Sequence, residues 1–133
     1  MENKQNNINN TANITVWFEI VSIDFDRSVT FYETILDVKI DKQDMKDLKM
    51  GLFPHDDLNT VSGSIICGMG FKPSENGSIV YLNGGQDLTN VLSKVEDAGG
   101  KIVIPKTHLG ENVGYIAHFI DTEGNRIGLH SMN

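Results

Sequence analysis

From Trp17 to Ser22 the chain alternates: Trp17, Glu19 and Val21 fall on one side, Phe18, Ile20 and Ser22 on the other. A period of two sends successive side chains to opposite faces of a sheet, so a strand is predicted here with one apolar face and one that carries an acid. The period then changes. Phe25, Val29, Tyr32 and Leu36 recur at helical spacing, Asp24 stands where an N-cap carboxylate belongs, and Asp26 sits in the first turn, where the helix dipole favours negative charge. An amphipathic helix lying on a sheet follows. Three short apolar runs, 38–42, 48–53 and 64–69, are separated by charged or turn-forming residues and predict three further strands.

The second half repeats this order. A strand is predicted over 78–83. Asp87 opens a helix with Leu88, Val91, Leu92, Val95 and Ala98 on one face, and Gly99 and Gly100 end it. Strands over 101–105, 114–120 and 126–131 complete the set, the last two joined by a tight turn at Thr122 to Asn125. Asp24 and Asp87 lie 63 positions apart (87 − 24), so a duplicated βαβββ unit accounts for the layout. Pro54, Pro73 and Pro105 are expected at element ends, where proline removes no ladder hydrogen bond. The fold class is α+β.

At 133 residues the chain fits one domain, able to bury roughly two thirds of its unfolded surface without disulfides or a structural metal. Residues 1–12 are asparagine-rich and lack periodicity, which predicts a disordered tail before a single domain over 13–133. They also lack the apolar run of a signal peptide. A net charge of −7 repels phosphate backbones and anionic membranes, so no nucleic-acid partner is expected and neutral or cationic ligands are favoured. Cys67 is the single cysteine, and no apolar run reaches the roughly 18 residues of a membrane span, which reads as a cytoplasmic protein without membrane attachment.

Two stretches, IDFDRSVTFYETIL (23–36) and DTEGNRIGL (121–129), together with the repeated βαβββ unit, resemble the glyoxalase, bleomycin-resistance and extradiol-dioxygenase group, the vicinal oxygen chelate superfamily. The resemblance runs from about Ile14 to Ser131. It implies two modules, about 13–70 and 77–132, whose strands form a cup-shaped mixed sheet with helices outside, a site on the concave side, and a homodimer. It also implies where a metal would be held: at Trp17, at Ile79 or Val80, at Ile65 and at Gly128. None of these offers a nitrogen, oxygen or thiolate donor, so the usual metal site is expected to be absent and no cofactor is expected.

If Trp17 faces the cup, strand alternation turns Glu19 inward with it, Tyr81 and Asn83 beside Ile79, and Arg126 and His130 beside Gly128. His118 is placed inside by resemblance to the fosfomycin-resistance members, which use a cup-facing tyrosine at that position. Trp17 either fills the space of the lost metal or stacks under a ligand. Glu19 either pairs with Arg126 or binds ligand. His118 and His130 are either satisfied sheet residues or acid-base groups, and with Glu19 they offer the makings of a two-histidine, one-carboxylate metal triad. Other signals carry less. His55, Asp56 and Asp57 read as a solvated turn, and Asp121, Glu123 and Asn125 as a hairpin turn rather than a calcium loop. Gly68 and Gly70 lack the rest of a dinucleotide fingerprint, Cys67 reads as a small apolar residue, and His108 sits on a loop at the rim. Two functions remain. One is a metal-free protein that holds a small organic molecule, as bleomycin-resistance members hold a cationic drug; the other is an isomerase, lyase or dioxygenase, working without metal through Glu19 and His118 or using Glu19, His118 and His130 as the unorthodox metal triad.

Overall fold

The computed structural model describes residues 13–56 and 60–133, so the expected tail over 1–12 and Asp57 lie outside the described residues. Ten elements follow in the order β1 Trp17–Val21, α1 Phe25–Leu36, β2 Asp41–Met45, β3 Leu48–Leu52, β4 Ser62–Gly68, β5 Val80–Asn83, α2 Thr89–Leu92, β6 Lys101–Gly110, β7 Gly114–Ile120 and β8 Arg126–Ser131. They build two four-stranded mixed sheets with equivalent topology, β1-β4-β3-β2 and β5-β8-β7-β6. In each, the first and last strands run parallel and the others antiparallel, which is the duplicated βαβββ unit.

Helix α1 starts where its N-cap predicts. Asp24 accepts a hydrogen bond from the Arg27 N–H at 3.1 Å, and Asp37 closes the helix in the left-handed region at φ 52°. Its buried face, Phe25, Ser28, Val29, Phe31, Tyr32 and Ile35, packs against both sheets at once. Ile20 and Ile65 reach it from the first sheet; Leu82, Ala117, Phe119, Ile127 and Leu129 reach the same core from the second. Phe31 lies 4.9 Å edge-on from Tyr32 and 5.8 Å from Phe119 between ring centroids. Among the described residues no helix is long and apolar enough to cross a membrane.

Three elements differ from the sequence expectation. The second strand is at 41–45 rather than 38–42, because Ile40 is buried in the core and its N–H is taken by the Glu33 carboxylate at 2.9 Å, which ties the segment to the helix instead of the sheet. The second helix is one turn, Thr89–Leu92, rather than a run to Ala98. Leu88, Val91, Leu92 and Val95 are buried as their spacing requires, but beyond Leu92 the Lys94 and Val95 N–H groups bond three residues back, so the amphipathic face is kept on a tighter backbone. Asp87 accepts the Thr89 N–H at 2.9 Å and the Lys106 ammonium, which together hold its pKa at about 2, while Leu88 occupies the N-cap itself. Pro105 lies inside β6 rather than at its end, and the pairing register with β7 shifts between Ile104 and Thr107, where a residue without an N–H is tolerated.

The turn between β7 and β8 fastens the two halves together. Asp121 accepts the N–H groups of Glu123 and Asn125 and the Tyr32 hydroxyl, the last at 2.6 Å. Glu123 reaches across to the start of α1, accepting the Ile23 and Asp24 N–H groups at 2.8 and 2.7 Å and pairing with Arg27 at 2.8 Å. Asn125 donates to the Val21 carbonyl at 2.7 Å. The three polar residues that mimic a calcium loop in sequence are thus spent on a turn and on the partner module.

Candidate functional site

Register decides which side chains share a face. In the second sheet, Tyr81 pairs with Gly128 and Asn83 with His130, while His118 pairs with Gly128 from the other side. Paired residues point the same way, so Tyr81, Asn83, His118, Arg126, Gly128 and His130 share the face away from the core, as expected, and the ambiguity at His118 is resolved. In the first sheet Trp17 and Glu19 pair with Ser62 and Ser64 on the face away from the core. Ile65 does not join them. It pairs with Ile20 and is fully buried in the core, so its expected place on the concave face is wrong by one residue, the error a period of two makes largest.

The two edge strands β1 and β5 flank a groove of about 1220 Å³. Trp17 and Glu19 stand on one wall, Ile79, Tyr81 and Asn83 on the other, and Phe18, Leu36, Val38, Phe53 and Leu82 contribute from beneath. The last group escaped sequence reasoning because alternation assigns it to the core; it meets the groove only because both flanking strands are sheet edges. Trp17 and Tyr81 remain 38% and 48% exposed, large aromatic surfaces that nothing among the described residues covers. The ring of His55 stands edge-on to Trp17 at 6.5 Å.

Behind Tyr81 lies a hydrogen-bonded chain. The Tyr81 hydroxyl is 2.6 Å from Nε2 of His118, and the Arg126 Nε–H donates to Nδ1 of the same ring at 3.0 Å. Because Nδ1 accepts, a neutral imidazole carries its proton on Nε2 and donates it to Tyr81, which leaves the tyrosine's own proton to point elsewhere. Burial lowers the His118 pKa, and the adjacent Arg126 charge lowers it further, both favouring that neutral form. Gly128 makes the arrangement fit: a Cβ there would stand 2.5 Å from the Tyr81 ring, so the missing side chain is the tyrosine's floor.

Glu19 and Arg126 do not pair. Arg126 is committed to His118, and Glu19 is exposed, with no ion pair among the described residues. His130 turns its Nε2 to the Val113 carbonyl at 2.6 Å rather than toward His118. Glu19, His118 and His130 therefore do not converge, and among the described residues no three His, Cys, Asp or Glu side chains are grouped to hold a metal ion. The positions to which the resemblance assigned metal ligands do not fit one either: Trp17, Ile79 or Val80, Ile65 and Gly128 bring no ligating side-chain atom. Asp56 is exposed beside His55, and His108 packs on Tyr115 at 4.9 Å, away from the groove lining.

A family model, the Glyoxalase/Bleomycin resistance protein/Dioxygenase superfamily, matches residues 14–129. No curated protein matches the chain in sequence. Solved structures match in fold. A V278E mutant of glyoxalase I from Zea mays aligns with TM-score 0.69 at 23% identity over 86% of this chain and 44% of its own, so this chain spans less than half of that protein. Glyoxalase I of Leishmania major aligns at 0.66 and 17% identity over 91% of this chain and 88% of its own. A glyoxalase/bleomycin resistance protein from Albidiferax ferrireducens gives 0.66 and 16% over 91% and 100%.

Proposed function

The chain belongs to the Glyoxalase/Bleomycin resistance protein/Dioxygenase superfamily, and we propose that within it this protein binds a small organic molecule in the groove between β1 and β5 without the usual metal. The observation that carries the reading is the groove itself: exposed aromatic walls at Trp17 and Tyr81 over an apolar floor, with a few polar groups, Glu19 and Asn83, at its sides. Concave, mostly apolar surfaces with sparse polar groups are what small-molecule sites look like. Purified without a chelating tag, the protein is expected to carry no stoichiometric zinc, nickel, iron or manganese; one tightly held equivalent by elemental analysis would overturn this part of the reading.

Glu19 sets a preference for a hydrogen-bond donor or positive charge on the ligand's β1 side. A thermal-shift screen of small organic molecules is the direct test, and Glu19→Gln should weaken a ligand so found by roughly 1.5 to 3 kcal/mol, the worth of a hydrogen bond to a charged group, with little change in melting temperature. Unchanged affinity with a lowered melting point would make Glu19 a structural residue instead.

A homodimer is the second part of the proposal. The edge strands β1 and β5 leave open sheet edges beside the groove, and such edges are commonly covered by a second copy. Light scattering at micromolar concentration should give twice the 14.7 kDa chain mass; the chain mass alone would count against it. The Tyr81–His118 hydrogen bond favours a second reading, an isomerase or lyase in which Tyr81 passes a proton to the bound molecule and His118 holds the tyrosine in place. Recovering the bound molecule unchanged after prolonged incubation would exclude it.

A further inference from the structure

The two walls of the groove offer opposite hydrogen-bonding chemistry. On β1 the polar wall residue is Glu19, an exposed carboxylate that accepts hydrogen bonds, donates none, and has no partner among the described residues. On β5 it is Asn83, whose amide is oriented by its neighbour. The Gly85 N–H can only donate, so the Asn83 atom 2.8 Å from it is Oδ1, and the Nδ2–H groups are left without an acceptor among the described residues. The turn that follows holds this arrangement in place. The Gly84 N–H bonds the His130 carbonyl at 2.7 Å, a Cβ on Gly84 would stand 2.6 Å from Leu88, and Gly85 sits at φ 77°, in the left-handed region that favours glycine. Tyr81, the other polar residue of the β5 wall, already has its hydroxyl at His118.

Taking as given that the groove binds a small molecule, we infer that its ligand is an aromatic amine that also carries a carbonyl-type oxygen: the ammonium on Glu19, the oxygen on Asn83 Nδ2, and the ring between them over the apolar floor. Asn83 is the residue that sets this specificity. Glu19, in a chain of net charge −7, attracts organic cations in general and does not tell one amine from another. A held donor does, because a ligand without an acceptor leaves Nδ2 unpaired once the groove is filled, whereas a ligand with one satisfies it at little ordering cost. The ring has partners of its own, Trp17 on the β1 wall and Phe18, Phe53 and Leu82 beneath.

The test uses a ring that carries both groups and no amide N–H, (aminomethyl)-N,N-dimethylbenzamide, as its para and meta isomers to vary the span, against its two halves, benzylamine and N,N-dimethylbenzamide. Trp17 is the single tryptophan of the chain, so its fluorescence, together with ligand-observed NMR at millimolar concentration on the full chain, reads the groove directly. The better of the two isomers is expected to bind about tenfold tighter than benzylamine, the ratio that one hydrogen bond of about 1.4 kcal/mol gives. Asn83→Asp keeps the Oδ1 that accepts the Gly85 N–H and puts an acceptor where the donor was. It should abolish that ratio while benzylamine binds at least as tightly as before. Glu19→Gln should weaken benzylamine and the two-ended probe alike and leave N,N-dimethylbenzamide unchanged. Equal binding of benzylamine and both isomers, a tenfold ratio that survives Asn83→Asp, or tighter binding of N,N-dimethylbenzamide than of either isomer would overturn the inference and leave the small-molecule groove standing. Absence of binding by every probe would overturn the groove reading, and this inference with it.

Discussion

Replacing Glu123 by alanine should cost the fold roughly 3 to 5 kcal/mol, the range for removing one member of a buried charged network, and lower the melting temperature by about 10 °C or more. The side chain has no solvent exposure, and its two oxygens take the Ile23 and Asp24 N–H groups, the Arg27 guanidinium and the Thr122 hydroxyl. Most of the expected loss comes from the two backbone donors at the entry to α1, Ile23 and the N-cap Asp24, which lose the acceptor they have here. The Arg27 pair adds less, because the arginine is half exposed and screened by water. Glu123→Gln keeps one carbonyl oxygen for the helix end and should lose less.

The same residue gives the acid limb of stability a defined cause. Burial raises the Glu123 pKa, but the hydrogen bonds from Arg27, the Asp24 N–H, Thr122 and the Ile23 N–H outweigh it and hold the group at about 2, against 4.5 unperturbed. A depressed folded-state pKa means that the unfolded chain takes up the proton first. The contribution is therefore complete above about pH 4.5 and drains away as pH falls toward 2. Urea midpoints between pH 7 and pH 3 should fall steeply for the parent and less for Glu123→Gln. Parallel slopes would show that other carboxylates govern the acid transition.

Phe31→Ala should cost about 3 to 5 kcal/mol, the range for deleting a buried aromatic side chain and leaving its cavity. Phe31 is 1% exposed and carries α1 onto the second sheet, its ring tilted against Phe119 at 5.8 Å and edge-on to Tyr32 at 4.9 Å. The loss should appear as a lower urea midpoint with an unchanged slope, and Phe31→Leu, which refills most of the volume, should recover the greater part of it. A loss under about 1 kcal/mol for the alanine variant would mean that the two halves do not share one core through this ring.

Much of this architecture is legible along the chain because it rests on local rules. The cap at Asp24, the alternation of β1, and the runs that became β7 and β8 without a shift of boundary all follow from side-chain periodicity and backbone preference within a few residues. The concave faces of the second sheet follow too, since alternation from one anchored residue carries Tyr81, Asn83, Arg126 and His130 with it. Where an element needed a distant partner, local pattern failed. Ile40 was drawn into the core by Glu33 and α1, and that moved β2; the backbone after Leu92 tightened while its apolar face stayed in place.

The site divides along the same line. Residue type is read directly from the sequence: Trp17, Ile79 or Val80, Ile65 and Gly128, where the resemblance implies metal ligands, carry no ligating side chain. Only the tertiary structure decided that Arg126 goes to His118 rather than Glu19, that Gly128 is a floor for Tyr81, and that Glu123 is a cap for a helix one hundred residues away in the chain. Each of these is a choice among several partners within reach of one another in space. Pattern along the chain fixes which face a side chain takes; it leaves open which of its neighbours there it bonds, because that depends on distances set when the two sheets close on a common helix.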